Sequence, residues 1–185
     1  CSSDLAYEML CTVIAEVCVT HGYLQESARV AQYDKNLLKR IEAGTATQVE
    51  LKNSFVTLTR AMAAHYGKPV ILLLDEYDVP IAKASAKGYY AEMLDVVKGL
   101  MQALKDNDAL RFAVVTGCLR IAKESIFTGT NNFVSDTISS SHLNEYFGFT
   151  QADVDQLLKD ADCQEHAAAI KNWYDGYHFG DLDVY

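Results

Sequence analysis

The sequence predicts an α/β fold, and three observations predict it. "VILLL" (70–74) and "LRFAVVTG" (110–117) are short apolar runs of strand length. Helical spacing fills the segment between them, and a strand, crossover and strand of this length make a βαβ unit with parallel neighbours. Neither run alternates with polar residues, the pattern of strands covered on both faces.

The elements follow in order. Leu5, Met9, Val13 and Val17 fall four apart, with Ala6, Leu10, Ile14 and Cys18 on the adjoining ridge. This predicts a helix buried on a wide face. A more polar helical segment spans about 27–43 and ends near Gly44. Thr47 and Glu50 then form a capping-box signature, and Leu51, Phe55, Leu58 and Met62 mark a helix stopping at Gly67. The only two prolines, Pro69 and Pro80, bracket the first strand. Tyr90, Met93, Val97, Leu100 and Leu104 describe the crossover helix. A weaker strand is expected in "FVSDTISS" (133–140). Thr150 and Asp153 cap a further helix, and Ala167, Ile170, Trp173 and Tyr174 mark another, packed on the core and ending at Gly176.

Composition narrows the function. A chain of 185 residues, 50% hydrophobic, can bury a sizeable core. A net charge of -9 excludes an extended basic footprint for nucleic acid. Five scattered cysteines without a CxxC pair suggest neither a disulfide framework nor a thiolate zinc site, and point to a reducing cytoplasm. No stretch reaches membrane-spanning length, and no signal peptide is expected. Starting on Cys1 and stopping on "DLDVY", the sequence reads as a piece of a longer protein.

Chemistry concentrates after the two strands, because ligands of open parallel sheets bind beyond the carboxyl ends. Asp75 and Glu76 follow the first strand; Thr116, Gly117 and Arg120 follow the second. An apolar strand ending in Asp-Glu is the Walker B arrangement, in which the first carboxylate holds Mg²⁺ through water and the second polarises the attacking water. Thr116 and Arg120 are placed to sense a terminal phosphate. Asp78 either caps the following loop or repels a neighbouring carboxylate. The alternative is that Asp75 and Glu76 are ordinary strand-end carboxylates capping a loop or pairing with Arg120. No G-x-x-x-x-G-K-[ST] phosphate cradle occurs in the chain. His21, His65, His142, His166 and His178 are dispersed, and Ser125 near Lys123 reads as structural.

"KPVILLLDEYDVPI", "VVTGCLRIAKESIFTGTNNF", "EYFGFTQADVDQLL" and "WYDGYHFG" together resemble the bacterial AAA-ATPase-like family, over residues 67–185. Residues 1–66 resemble it only as a helical insert. Members typically carry a PD-(D/E)XK nuclease-like domain after the ATPase module. The resemblance implies a three-layer P-loop NTPase-like sheet of order 5-1-4-3-2, here incomplete, with strands 1 and 2 missing. It divides the chain into a partial ATPase domain (1–148) and the start of a helical lid (149–185). It implies ATP and Mg²⁺ as ligands, with Asp75 as the Mg²⁺-associated acid, Glu76 as the residue activating water, and Thr116 and Arg120 in the sensor-1 segment. The family's "RRFGKS"-type loop is absent. Little or no hydrolysis is therefore expected of this stretch alone, with Asp75 and Glu76 facing water and an open sheet edge inviting self-association. The competing expectation is a regulatory or scaffold module of STAND type, which positions a partner or nuclease-like domain without significant turnover.

Overall fold

The computed structural model describes residues 2–118, 133–174 and 176–185. The chain divides into two compact units, 1–130 and 131–185.

The first unit opens with helices α1 (Ser2–Thr20), α2 (Gln32–Glu42), α3 (Gln48–Lys52) and α4 (Ser54–Tyr66). Ile14 and Cys18 of α1 are buried against Leu37, Leu38 and Ile41 of α2, Leu51 of α3 and Ala61 of α4. The wide buried face expected of α1 is narrower than that. Met9 and Val13 are 64% and 56% exposed, because the neighbouring helices pack along the Leu10, Ile14, Cys18 ridge. Adjacent i, i+4 ridges on one helix need separate partners.

The Thr47–Glu50 capping box forms as expected: Glu50 N–H donates to Thr47 Oγ1 at 3.3 Å and Thr47 N–H to Glu50 Oε2 at 2.9 Å. Glu50 Oε1 also accepts from Arg40 Nε at 3.1 Å, tying α3 to the last turn of α2. The helix expected to run on to Gly67 is interrupted at Asn53, whose side chain donates to the Val49 carbonyl at 3.0 Å. Short amides compete with the helical ladder in this way. Gly67 closes α4 at φ 65°, the left-handed cap glycine adopts at least cost.

β1 (Val70–Leu74) and β2 (Leu110–Val115) pair in parallel, with Leu72 opposite Ala113 and Leu74 opposite Val115. The crossover contains two helices, α5 (Val79–Lys87), with Pro80 in its first turn, and α6 (Tyr90–Met101). Ile81, Ala84, Met93 and Val97 from these helices form a second core with Leu74 and Tyr77. The expected burial of both sheet faces is not found. Ile71, Leu73, Phe112 and Val114 are exposed on the face opposite the half-buried Leu72, Leu74, Ala113 and Val115. Among the described residues the sheet has two strands, so the architecture is mixed α/β with a small parallel sheet.

In the second unit, the strand expected at 133–140 is a loop. Its hydroxyls fold it back: Thr137 N–H donates to Ser140 Oγ at 3.0 Å and Ser139 N–H to Thr137 Oγ1 at 3.3 Å, bonds that replace a ladder. Thr150 and Asp153 cap α7 (Gln151–Asp160) in a complete capping box. Trp173, expected to pack inward, is 83% exposed near the end of α8 (Ala167–Tyr174), a helix without a buried residue. The final residues form an antiparallel hairpin, β3 (Tyr177–Phe179) and β4 (Leu182–Val184). Asn144 fastens its turn by donating to Phe179 O at 3.2 Å and Asp181 Oδ1 at 2.5 Å.

No helix of the described residues is long and apolar enough to cross a membrane.

Candidate functional site

Because Leu74 and Val115 are register partners, the chain leaves both strands at the same level. Asp75 and Thr116 therefore emerge side by side at the carboxyl edge of the sheet. Thr116 N–H donates to Leu74 O at 2.8 Å, and Tyr77 N–H donates to Thr116 O at 3.1 Å, extending the ladder past the last strand residue. The Thr116 hydroxyl donates to Asp75 Oδ1 in a short bond and accepts the Glu76 N–H at 3.4 Å.

Asp75 and Glu76 are both exposed, and Glu76 has φ 53°. That left-handed backbone is uncommon for a residue with a side chain and clusters at functional sites. Asp78 behaves differently. It is 2% exposed, and its side chain makes no cap bond to α5. It lies instead against Gly117: a Cβ built on Gly117 would stand 2.5 Å from Asp78 Oδ1 and 2.7 Å from Tyr77 Cε1.

The structure thus brings together Asp75, Glu76 and Thr116, three of the four residues to which the sequence gives a nucleotide or metal role. The fourth, Arg120, lies outside the described residues, as do Lys123 and Ser125. Asp78 and Gly117 were visible as neighbours of the motif, but not their mutual contact. The available signal was a residue without a side chain directly after Thr116.

Among the described residues, no three His, Cys, Asp or Glu side chains gather to hold a metal ion. The histidines serve local contacts, His65 with Ser27 at 2.9 Å, His142 with Asp136 at 3.0 Å and His178 with Asp183 at 2.7 Å. What the carboxyl edge does present is oxygen: two exposed carboxylates, Asp75 and Glu76, with the Thr116 hydroxyl bonded to the first. That donor set suits Mg²⁺, which keeps most of its waters and needs only one or two protein carboxylates beside a phosphate ligand. A shallow pocket of about 290 Å³ lies elsewhere, between Arg60 and the turn at 105–109 that precedes β2, at the opposite end of that strand from Thr116.

The comparisons with known proteins bear on the same stretch. A family described as "Predicted AAA-ATPase" matches residues 13–127. The match takes in most of the helical segment, which by sequence resembles the family only in position, and both strands with their carboxyl edge. It stops before the blocks "EYFGFTQADVDQLL" and "WYDGYHFG". The chain is also 34% identical over 141 residues to an "Uncharacterized protein in vnfD 5'region" of Azotobacter chroococcum mcd 1. That alignment covers 75% of the chain and 27% of the relative, so the chain spans about a quarter of that protein's length. No solved structure gives a significant match. With the family match covering well over half of its residues, the chain belongs to the predicted AAA-ATPase family.

Proposed function

We propose that this chain carries the Walker B and sensor-1 side of an ATP-hydrolysing site in a P-loop NTPase-like domain. The observation that carries the reading is the Thr116–Asp75 hydrogen bond, which joins an exposed carboxylate to the end of the neighbouring parallel strand. In this reading Asp75, oriented by Thr116, would hold Mg²⁺ through its waters. When bound, the ion supplies positive charge against the phosphates.

The chain's own residues then divide the work. Glu76, one position beyond Asp75, accepts a proton from the attacking water and fixes that water's orientation. Thr116 would turn its hydroxyl proton from Asp75 to the terminal phosphate when nucleotide binds, with Arg120 as the cation beside it.

In the same reading a phosphate-gripping loop, for which these residues contain no pattern, would come from elsewhere in the polypeptide. The three-layer sheet with further strands, the lid beginning near residue 149, a cytoplasmic setting and a nuclease-like domain in the same polypeptide belong to the same reading.

The test is Mg-ATP titration of the full-length protein by calorimetry, with and without a chelator. Wild type is expected to lose affinity when Mg²⁺ is removed. Asp75→Asn should bind Mg-ATP roughly tenfold or more weakly and lose most of that metal dependence, as expected when the single carboxylate partner of the ion goes. An Asp75→Asn protein with unchanged Mg²⁺ dependence would remove Asp75 from the metal role.

A further inference from the structure

Residues 75–77 are each hydrogen-bonded to Thr116, and Asp78 lies against Gly117. Asp75 accepts the Thr116 hydroxyl, Glu76 N–H donates to that hydroxyl at 3.4 Å, and Tyr77 N–H donates to Thr116 O at 3.1 Å. Asp78 completes the series by filling the space where Gly117 has no side chain. A Cβ at position 117 would meet Asp78 Oδ1 at 2.5 Å and the Tyr77 ring at 2.7 and 2.8 Å.

Such an approach is relieved only if Asp78 moves, and Asp78 is 2% exposed, so moving it disturbs a packed position. Gly117 itself does not take a left-handed φ. What position 117 requires is space, not conformational freedom.

The residue caught in the middle is Glu76, at φ 53°. A left-handed backbone on a residue with a side chain persists only where the surroundings over-determine it. Here the flanking residues on both sides are held by one dipeptide of the neighbouring strand's end.

We infer that Gly117 and Asp78 form an interlock that sets the backbone of Glu76, which makes both of them positioning residues for the water-activating carboxylate. The inference deepens the ATPase reading and, in its kinetic part, rests on it. Neither residue needs to touch nucleotide. Loosening the interlock should therefore spare binding and cost turnover, because a carboxylate displaced by about 1 Å from its water can lose about a hundredfold in rate.

The experiment has two arms, both on the full-length protein. In the first, amide exchange at Tyr77 is followed without nucleotide in wild type and Gly117→Ala. Exchange in the variant is expected to be faster by about tenfold or more as the bond to Thr116 opens, and wild-type exchange there would overturn the interlock whatever the kinetics. In the second, Gly117→Ala is expected to keep its Mg-ATP KM within about threefold while kcat falls by roughly a hundredfold. Unchanged kcat in a wild-type enzyme that depends on Glu76 would equally overturn the positioning role. If wild type shows no Mg-ATP turnover while Tyr77 exchange responds as expected, the ATPase reading fails and the interlock stands. Should Gly117→Ala not fold, Asp78→Ala empties the notch from the other side. It is expected to give the same two changes, with Asp78→Asn, which keeps the shape, recovering both; an Asp78→Ala protein with wild-type exchange and kcat would overturn the proposal.

Discussion

The Thr116 hydroxyl donates to the Asp75 carboxylate across the carboxyl ends of two parallel strands, joining residues 41 positions apart in sequence. One oxygen thus serves both sides of the site, since it also accepts the Glu76 N–H.

Thr116→Val keeps the shape and removes that oxygen. The bonds lie at an exposed edge, so stability should fall by about 1 kcal/mol or less. Turnover of Mg-ATP by the full-length protein should fall by roughly a hundredfold, the typical loss when one preorganised polar contact to the reacting group is removed. Phosphate release and urea unfolding measured on the same preparation separate the two effects, and wild-type turnover would take Thr116 out of the site.

Asp34 and Arg60 offer a test of the helical core that is independent of nucleotide. Asp34 of α2 is buried and accepts from Arg60 Nε of α4 at 3.0 and 3.2 Å, whereas the Arg60 side chain is 48% exposed. The two truncations should therefore be unequal. Arg60→Ala leaves a buried carboxylate uncompensated and should cost about 3 kcal/mol. Asp34→Ala leaves a guanidinium that can turn to water and should cost about 1 kcal/mol. Urea midpoints in the order wild type, Asp34→Ala, Arg60→Ala are expected; the reverse order would contradict the buried-charge account.

Acid should weaken both units. The Glu50 carboxyl is held below its usual range by Arg40 and then by the Thr47 N–H, and Asp153 by the Thr150 hydroxyl and then the Thr150 N–H. A carboxyl lower in the folded than in the unfolded chain contributes stability above its unfolded value and loses it as pH falls through its folded value. The urea midpoint should accordingly be flat between about pH 7 and 5 and decline below about pH 4. Glu50→Gln should lower the neutral-pH midpoint and make the acid decline shallower; an undiminished decline would place the acid sensitivity elsewhere.

Local chemistry was legible in the sequence wherever a short-range rule decides the backbone. Thr47 with Glu50, Thr150 with Asp153 and Gly67 each act within four residues, and all three helix ends form as their residue types dictate. The parallel pairing of β1 with β2 was also legible, because two apolar runs separated by a helical crossover leave few other topologies. Long-range burial was not. The apolar ridges of α1 and the outer faces of both strands look alike in sequence whether or not something packs on them, and Met9, Val13, Ile71 and Leu73 are exposed. Residues 133–140 carry enough β-branched residues for a strand, yet Thr137 and Ser140 bind backbone locally. Asn53 breaks a helix by the same competition. At the site, Asp75, Glu76 and Thr116 were readable from type and position, whereas the fit of Asp78 into the notch at Gly117 depends on a close approach that no spacing encodes.

The central claim is that Glu76 activates water for hydrolysis of a nucleotide held beside Asp75. Its most direct test is Glu76→Gln in the full-length protein, with bound nucleotide and released phosphate measured together over a single turnover. The substitution keeps shape and hydrogen bonding but removes the proton acceptor, so bound ATP should persist uncleaved while its affinity stays within about threefold of wild type. Wild-type rates of phosphate release from Glu76→Gln would contradict the account.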